Sequence, residues 1–246
     1  MIAVITGGSR GIGAATALEC ARAGWDVAVG YRERSDRAEA VCEAVRALGR
    51  RALAVRADVG VDAEVRALFL AVDRGLGVPS GLVNAAGIVA PAARADELDG
   101  ARVRRLLEVN VAGSLACARE AVRRMSTRHG GRGGAIVNVS SVAARTGGAG
   151  EYVDYAASKG AIDAFTVGLA REVAAEGIRV NAVRPGITDT EIHASGGRPD
   201  RAWRLAPQLP MQRPGTAEEV ARAIAWLLSD AASYCTGSIL DVAGGR

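Results

Sequence analysis

Lysine is almost missing from this chain: of its 31 basic residues only Lys159 is a lysine, and arginine takes every other basic position. Histidine is nearly as scarce. His129 and His193 are the only two, and neither has a second ligand at metal spacing, so no metal site is expected. Phe, Trp and Tyr together make up 4% of the residues, which leaves Ala, Val, Leu and Ile to build the core. The four cysteines, Cys20, Cys42, Cys117 and Cys235, include no CxxC pair. They read as small buried apolar groups in a reducing compartment, not as a disulfide framework. No apolar run reaches the length of a membrane span, and the chain enters an apolar strand at Ile2, which leaves no place for a secretory signal. A cytoplasmic protein with no membrane contact is expected.

Blocks of one charge are absent too. The net charge is +4 and the isoelectric point near 9.2, yet the arginines are scattered among acids, as in Glu33-Arg34-Ser35-Asp36-Arg37. Without a basic cluster interleaved with aromatics, nucleic acid is not an expected partner. The small positive surplus points instead to an anionic cofactor or substrate.

Short runs rich in Val and Ile alternate along the chain with longer Ala/Arg/Glu/Leu stretches of helical period. Strands are predicted at 2–6, 26–31, 52–56, 81–84, 135–140, 179–183 and 238–242. Helices are predicted at 12–23, 36–48, 62–74, 155–176 and 217–228, with a long amphipathic segment over 98–128. Continuous apolar strands separated by helices indicate a parallel sheet covered on both faces. The expected fold is therefore a single α/β domain over residues 1–246, a Rossmann-type doubly wound parallel sheet of seven strands. In such sheets ligands sit beyond the carboxyl ends of the strands, which gathers the loops after Thr6, Tyr31, Arg56, Asn84, Ser140 and Val183 along one edge.

The first of those loops, Thr6-Gly7-Gly8-Ser9-Arg10-Gly11-Ile12-Gly13, joins a strand to a helix. Glycines let the backbone turn tightly and approach a pyrophosphate, and the helix N-terminus offers free N–H donors. Gly7, Ser9, Arg10, Gly11, Ile12 and Gly13 are thus candidate dinucleotide contacts. The second strand ends Val29-Gly30-Tyr31-Arg32, with no acid at its tip to hold the ribose hydroxyls of NAD. Arg10 and Arg32 together favour NADP(H) over NAD(H). After the third strand, Asp58 could accept from an adenine amine beside Val59, or could instead cap the helix that follows.

Tyr155 and Lys159 stand four apart, so on a helix they share a face. A phenol near its reference pKa of ~10 is a sluggish base, and a neighbouring ammonium is expected to lower that value. For ketone reduction Tyr155 would donate its proton to oxygen as hydride reaches carbon. Tyr152 competes for this role, but its neighbour four residues on is Ala156, without charge. A hydroxyl from Ser140-Ser141 could orient the carbonyl. Asn110 is odd inside a helical segment, where it could bend the helix and hold a water that feeds protons to Lys159, or simply be a solvated or helix-bonded amide.

Taken in order, Thr6-Gly7-x3-Gly11-x-Gly13, Asn84-Ala85-Ala86-Gly87, Asn110, Ser141, Tyr155-x3-Lys159 and Pro185-Gly186 resemble the short-chain dehydrogenase/reductase family across the whole chain. The resemblance implies a catalytic tetrad of Asn110, Ser141, Tyr155 and Lys159, with Lys159 also gripping the nicotinamide ribose. It implies that Asn84 braces the central strands beside the cofactor, and that Ala85, Ala86, Gly87, Pro185, Gly186, Thr188 and Thr190 touch it, Thr190 at the carboxamide. A homotetramer built on the long helices and the last strand is implied, or else a homodimer. Within the family the chain is similar to 3-oxoacyl-carrier-protein reductases and bacterial sugar (glucose 1-) dehydrogenases. It departs in placing Tyr155 fourteen residues after Ser141, where thirteen is usual, and the extra residue falls in 147–154 beside the substrate.

The stretch 187–214, with Gly196-Gly197, Trp203 and Pro207, suits a lid over the substrate. The expected activity is NADP(H)-dependent interconversion of a carbonyl and a secondary alcohol, on a small or carrier-bound substrate. The alternatives are an NAD(P)-dependent sugar or alcohol dehydrogenase working oxidatively, and a dinucleotide-binding sensor without turnover.

Overall fold

The computed structural model describes residues 1–246. Seven parallel strands form one sheet: β1 (Ile2–Thr6), β2 (Asp26–Tyr31), β3 (Ala52–Arg56), β4 (Gly81–Asn84), β5 (Gly134–Val139), β6 (Ile178–Pro185) and β7 (Ile239–Val242). Their order is β3-β2-β1-β4-β5-β6-β7, so the winding reverses between β1 and β4. That reversal opens a crevice at the carboxyl edge, where ligands bind in this class of fold. Register is continuous through the crevice, with Thr6 beside both Gly30 and Asn84, and Asn84 beside Asn138.

Helices α1 (Gly11–Arg22), α2 (Ser35–Ala47) and α3 (Asp62–Gly75) connect the first strands. They are followed by α4 (Gly100–Leu107), α5 (Gly113–Met125), α6 (Ala143–Thr146) and α7 (Val153–Val173), then α8 (Ile192–Ser195), α9 (Arg201–Leu205) and α10 (Ala217–Leu228). Because strands such as Ile2-Ala3-Val4-Ile5 are apolar at every position, both faces of the sheet carry a core. On one face Val4, Leu68, Phe69, Leu82, Ile136 and Val180 pack together; on the other Ile5, Val27, Val83, Val137, Ile224 and Leu227 do. Cys20, Cys42 and Cys117 are buried there as small apolar groups.

The boundaries shift in two instructive places. The segment read as one amphipathic helix over 98–128 is two helices, α4 and α5, joined by a wider π-type turn at Glu108–Ala112. The helix that carries Tyr155 begins at Val153, not at Tyr155, so the tyrosine enters already inside a formed turn. No helix is long and apolar enough to cross a membrane.

Candidate active site

The carboxyl ends of the strands open into a cleft of about 700 Å³. The glycine turn forms one end. A Cβ on Gly13 would lie 2.3 Å from the Gly7 carbonyl oxygen, and Gly7 holds φ +64° with the Ala86 backbone 2.8 Å from where its Cβ would be. Only glycine allows this close approach of β1, α1 and the loop after β4. The first turn of α1 has no acidic residue and no side-chain cap, so its N–H groups are left for a ligand. The donor set fits a dinucleotide pyrophosphate.

Tyr31, Arg32, Glu33, Arg34, Asp58 and Val59 line the cleft beyond the turn. Arg32 is paired with Glu33, and Arg10 lies 3.6 Å from Glu191, which also takes Arg37. Both arginines expected to receive a 2′-phosphate thus have exposed carboxylate partners, which a phosphate can displace at little cost because such pairs are weak. Asp58 is committed more firmly. One oxygen accepts from Gly60 N at 2.9 Å and the other pairs with Arg105. Burial would raise this carboxyl, but those two partners outweigh it and hold it below the ordinary range. Asp58 does not cap α3, whose N-cap position is Val61.

Tyr155 and Lys159 converge on the cleft floor from α7. Lys159 is almost fully buried; its ammonium donates to the Val139 carbonyl at 2.8 Å and lies 5.6 Å from the centre of the Tyr155 ring. Burial pushes Lys159 down to about 8, against the pull of the Asp163 carboxylate. Burial likewise pushes the Tyr155 phenol up to about 12, opposed by a hydrogen bond with the Ser141 hydroxyl. Burial therefore acts on this phenol in the direction opposite to the lowering expected from Lys159.

The two serines separate in role. Ser140 is buried and donates to the Lys159 carbonyl at 3.2 Å, tying β5 to α7. Ser141 is partly exposed, accepts from Ala143 N at 3.1 Å and reaches Tyr155. The fourteen-residue interval between Ser141 and Tyr155 spans α6 and a glycine loop, and it does not prevent their contact.

Two residues expected at the site stand behind it. Asn110 sits within the π-type turn and is fully buried. Its amide donates to Ile88 O at 3.0 Å and Ser158 Oγ at 3.1 Å, and its oxygen accepts from Ile88 N at 2.8 Å. It is neither solvated nor left with a free donor to hold a water for Lys159. Asn84 donates to Asn138 Oδ1 at 2.9 Å and Ser114 O at 3.1 Å, bracing β4 against β5 below the cleft. Neither lines the cleft, whereas Gly7, Ser9, Arg10, Gly11, Ile12, Gly13, Arg32, Asp58, Val59, Ala85, Ala86, Gly87, Ser141, Tyr155, Lys159, Pro185, Gly186, Thr188 and Thr190 do.

At the far end Val89, Val142, Glu151, Tyr152, His193, Gly196 and Arg201 close the cleft. His193 Nε2 lies 2.9 Å from the Thr188 carbonyl, and burial holds this imidazole below its ordinary value. Glu151 and Arg201 carry no local motif and were invisible in the sequence, because they meet only when the stretch 187–214 folds back over the loop before α7.

A glycine turn at the switch point of a doubly wound sheet, facing Ser141 in the loop after β5 and Tyr155 and Lys159 on α7, defines a dinucleotide-dependent oxidoreductase fold. The chain belongs to the short-chain dehydrogenase/reductase family: the family model described as enoyl-(acyl carrier protein) reductase matches residues 7–246. It is 54% identical over 245 residues to the uncharacterized oxidoreductase YgfF of Escherichia coli K12, covering 100% of this chain and 99% of that one. It is 43% identical to cis-4-hydroxycyclohexanecarboxylate dehydrogenase of Sinomonas cyclohexanicum, covering 99% and 95%. A short-chain dehydrogenase of Burkholderia cenocepacia, solved in complex with NADP, superposes with a TM-score of 0.90 at 36% identity, covering 99% of this chain and 96% of that one.

Proposed function

We propose that this protein is an NADP(H)-dependent reductase of ketones, interconverting a carbonyl and a secondary alcohol. The convergence of Tyr155, Lys159 and Ser141 on one cleft carries this reading. Bound NADPH supplies the hydride. Ser9, Arg10 and the N-terminus of α1 would hold its pyrophosphate, Arg10 and Arg32 its 2′-phosphate, and Lys159 its nicotinamide ribose, with Thr188 and Thr190 at the carboxamide.

Ser141 orients the carbonyl oxygen toward Tyr155. A phenol held protonated is the form that can donate, so Tyr155 O–H protonates that oxygen in the direction of reduction. Lys159 stabilises the phenolate left behind, since an opposite charge favours the ionised form. Asn110 works through its bonds to Ile88 and Ser158, fixing the loop after β4 and the helix that carries both catalytic side chains. The stretch 187–214 closes over the substrate as a lid, and the protein acts in the cytoplasm.

A homotetramer is supported by the exposed apolar groups Trp226 on α10, Leu240 on the edge strand β7, and Tyr234 between them. The printed activity of the Sinomonas relative, a dehydrogenase, supports the oxidative direction as a second reading.

Loss of NADPH absorbance with a panel of ketones, aldehydes and sugars tests the proposal. Turnover of at least one carbonyl is expected, abolished in Tyr155→Phe. Tight NAD binding with weak NADP binding would reverse the cofactor assignment, and oxidation of secondary alcohols with no ketone reduced would favour the second reading.

A further inference from the structure

Several arginines buried in this fold engage acceptors through most of their nitrogens; Arg50, whose Nε has no partner, and Arg201 do not. Arg102 bonds to both oxygens of Asp154 and to Pro91 O, and Arg124 engages Asp73 and Glu120 through all three nitrogens. Arg184 pairs with Asp163 and Asp241. Arg201, on α9, is more buried than any of these, its side chain only 11% exposed, yet its guanidinium has a single partner, Glu151, at 2.7 Å. No second carboxylate pairs with this guanidinium, and Arg201 lines the cleft.

The surroundings fix this guanidinium and keep its charge in surplus. It stacks 5.1 Å over the Tyr152 ring, which sets the plane of the fork. Glu151 is shared with Arg198, so two cations face one carboxylate. Asp189, the other acid near His193, is turned to the Trp203 indole N–H at 3.0 Å. His193 adds no negative charge. Tyr152 immediately precedes α7, which carries Tyr155, and Arg201, Tyr152 and Tyr155 line the same cleft.

We propose that the substrate carries a carboxylate a few bonds from its reacting carbon, and that Arg201 receives it. Glu151 is the resident acceptor that holds the fork in place beforehand and shares it with the substrate afterwards. A planar fork suits a carboxylate held through two hydrogen bonds. This inference rests on the reductase reading for its substrate class, but the anion site itself does not depend on turnover.

Titration calorimetry of benzoate and benzamide against the protein–NADPH complex tests the site without chemistry. Wild type should prefer benzoate by about tenfold or more. Arg201→Gln should abolish that preference while keeping NADPH affinity. Glu151→Gln, which removes the competing carboxylate, should tighten benzoate severalfold. Equal binding of acid and amide by wild type, or a preference that survives Arg201→Gln, overturns the proposal. In parallel, acetoacetate and levulinate are compared with their methyl esters as NADPH-dependent substrates. Esters reduced as well as acids overturn the carboxylate inference and leave the reductase reading standing. Arg201-dependent benzoate binding with no ketone reduced does the reverse. Should Arg201→Gln fail to fold, the wild-type acid-to-ester ratio and the Glu151→Gln response decide the matter.

Discussion

The Lys159 ammonium donates to the Val139 carbonyl at 2.8 Å while standing 5.6 Å from the centre of the Tyr155 ring. One compact cation thus ties the end of β5 to α7 and faces the Tyr155 phenol from the same buried spot. A single rotatable point charge can serve both partners; a wide planar group has different reach and direction.

Lys159→Arg is therefore expected to fold, with an unchanged far-UV circular dichroism spectrum, and to lose about 100-fold or more in kcat, the scale of a misplaced acid–base group. Near-normal turnover of this variant would show that the lone lysine is an accident of composition.

Stability should vary with pH in a manner set by the same pair. Lys159 falls from 10.5 to about 8 in the folded chain. Between about pH 8 and 10.5 the unfolded chain holds a proton on this lysine that the folded chain has released, so stability rises with pH. Tyr155 acts oppositely: raised from 10.0 to about 12, it makes the folded chain the one that keeps the proton above pH 10, so stability falls there. Thermal midpoints of wild type should gain on those of Lys159→Met from pH 8 to 10. Parallel curves for the two proteins would contradict the buried-lysine account.

Asn110→Ala removes the partners of both backbone groups of Ile88 and the amide donor to the Ser158 hydroxyl, which still donates to the Tyr155 carbonyl. Stranding buried backbone groups costs about 1–3 kcal/mol, to be read from denaturant midpoints. A fall in kcat at the permissive temperature, with KM for NADPH raised, is expected because the loop after β4 and α7 lose their common brace. Asn110→Asp, which keeps the acceptor for Ile88 N–H, should recover part of the stability.

Much of this was legible in the chain. Short runs rich in Val, Ile, Leu and Ala between helical stretches point to a parallel sheet, since strands covered on both faces do not alternate apolar with polar positions. The glycine turn and the Tyr155–Lys159 interval are local patterns, with their meaning set by strand–helix context. Asn110 was visible as an anomaly, but its wider turn was not, because the turn depends on Ile88 and Ser158 brought up from elsewhere in the chain.

What the sequence determined by itself is the order of elements, the glycine turn between β1 and α1 and the four-residue spacing of Tyr155 and Lys159 on one helix, all governed by contacts a few residues apart. The tertiary structure alone decided the burial of Tyr155, the placement of Asn84 and Asn110 behind the cleft, the pairing of Asp58 with Arg105 and the meeting of Glu151 with Arg201. Each depends on burial or on a partner distant along the chain, and desolvation and long-range pairing leave no local pattern to read.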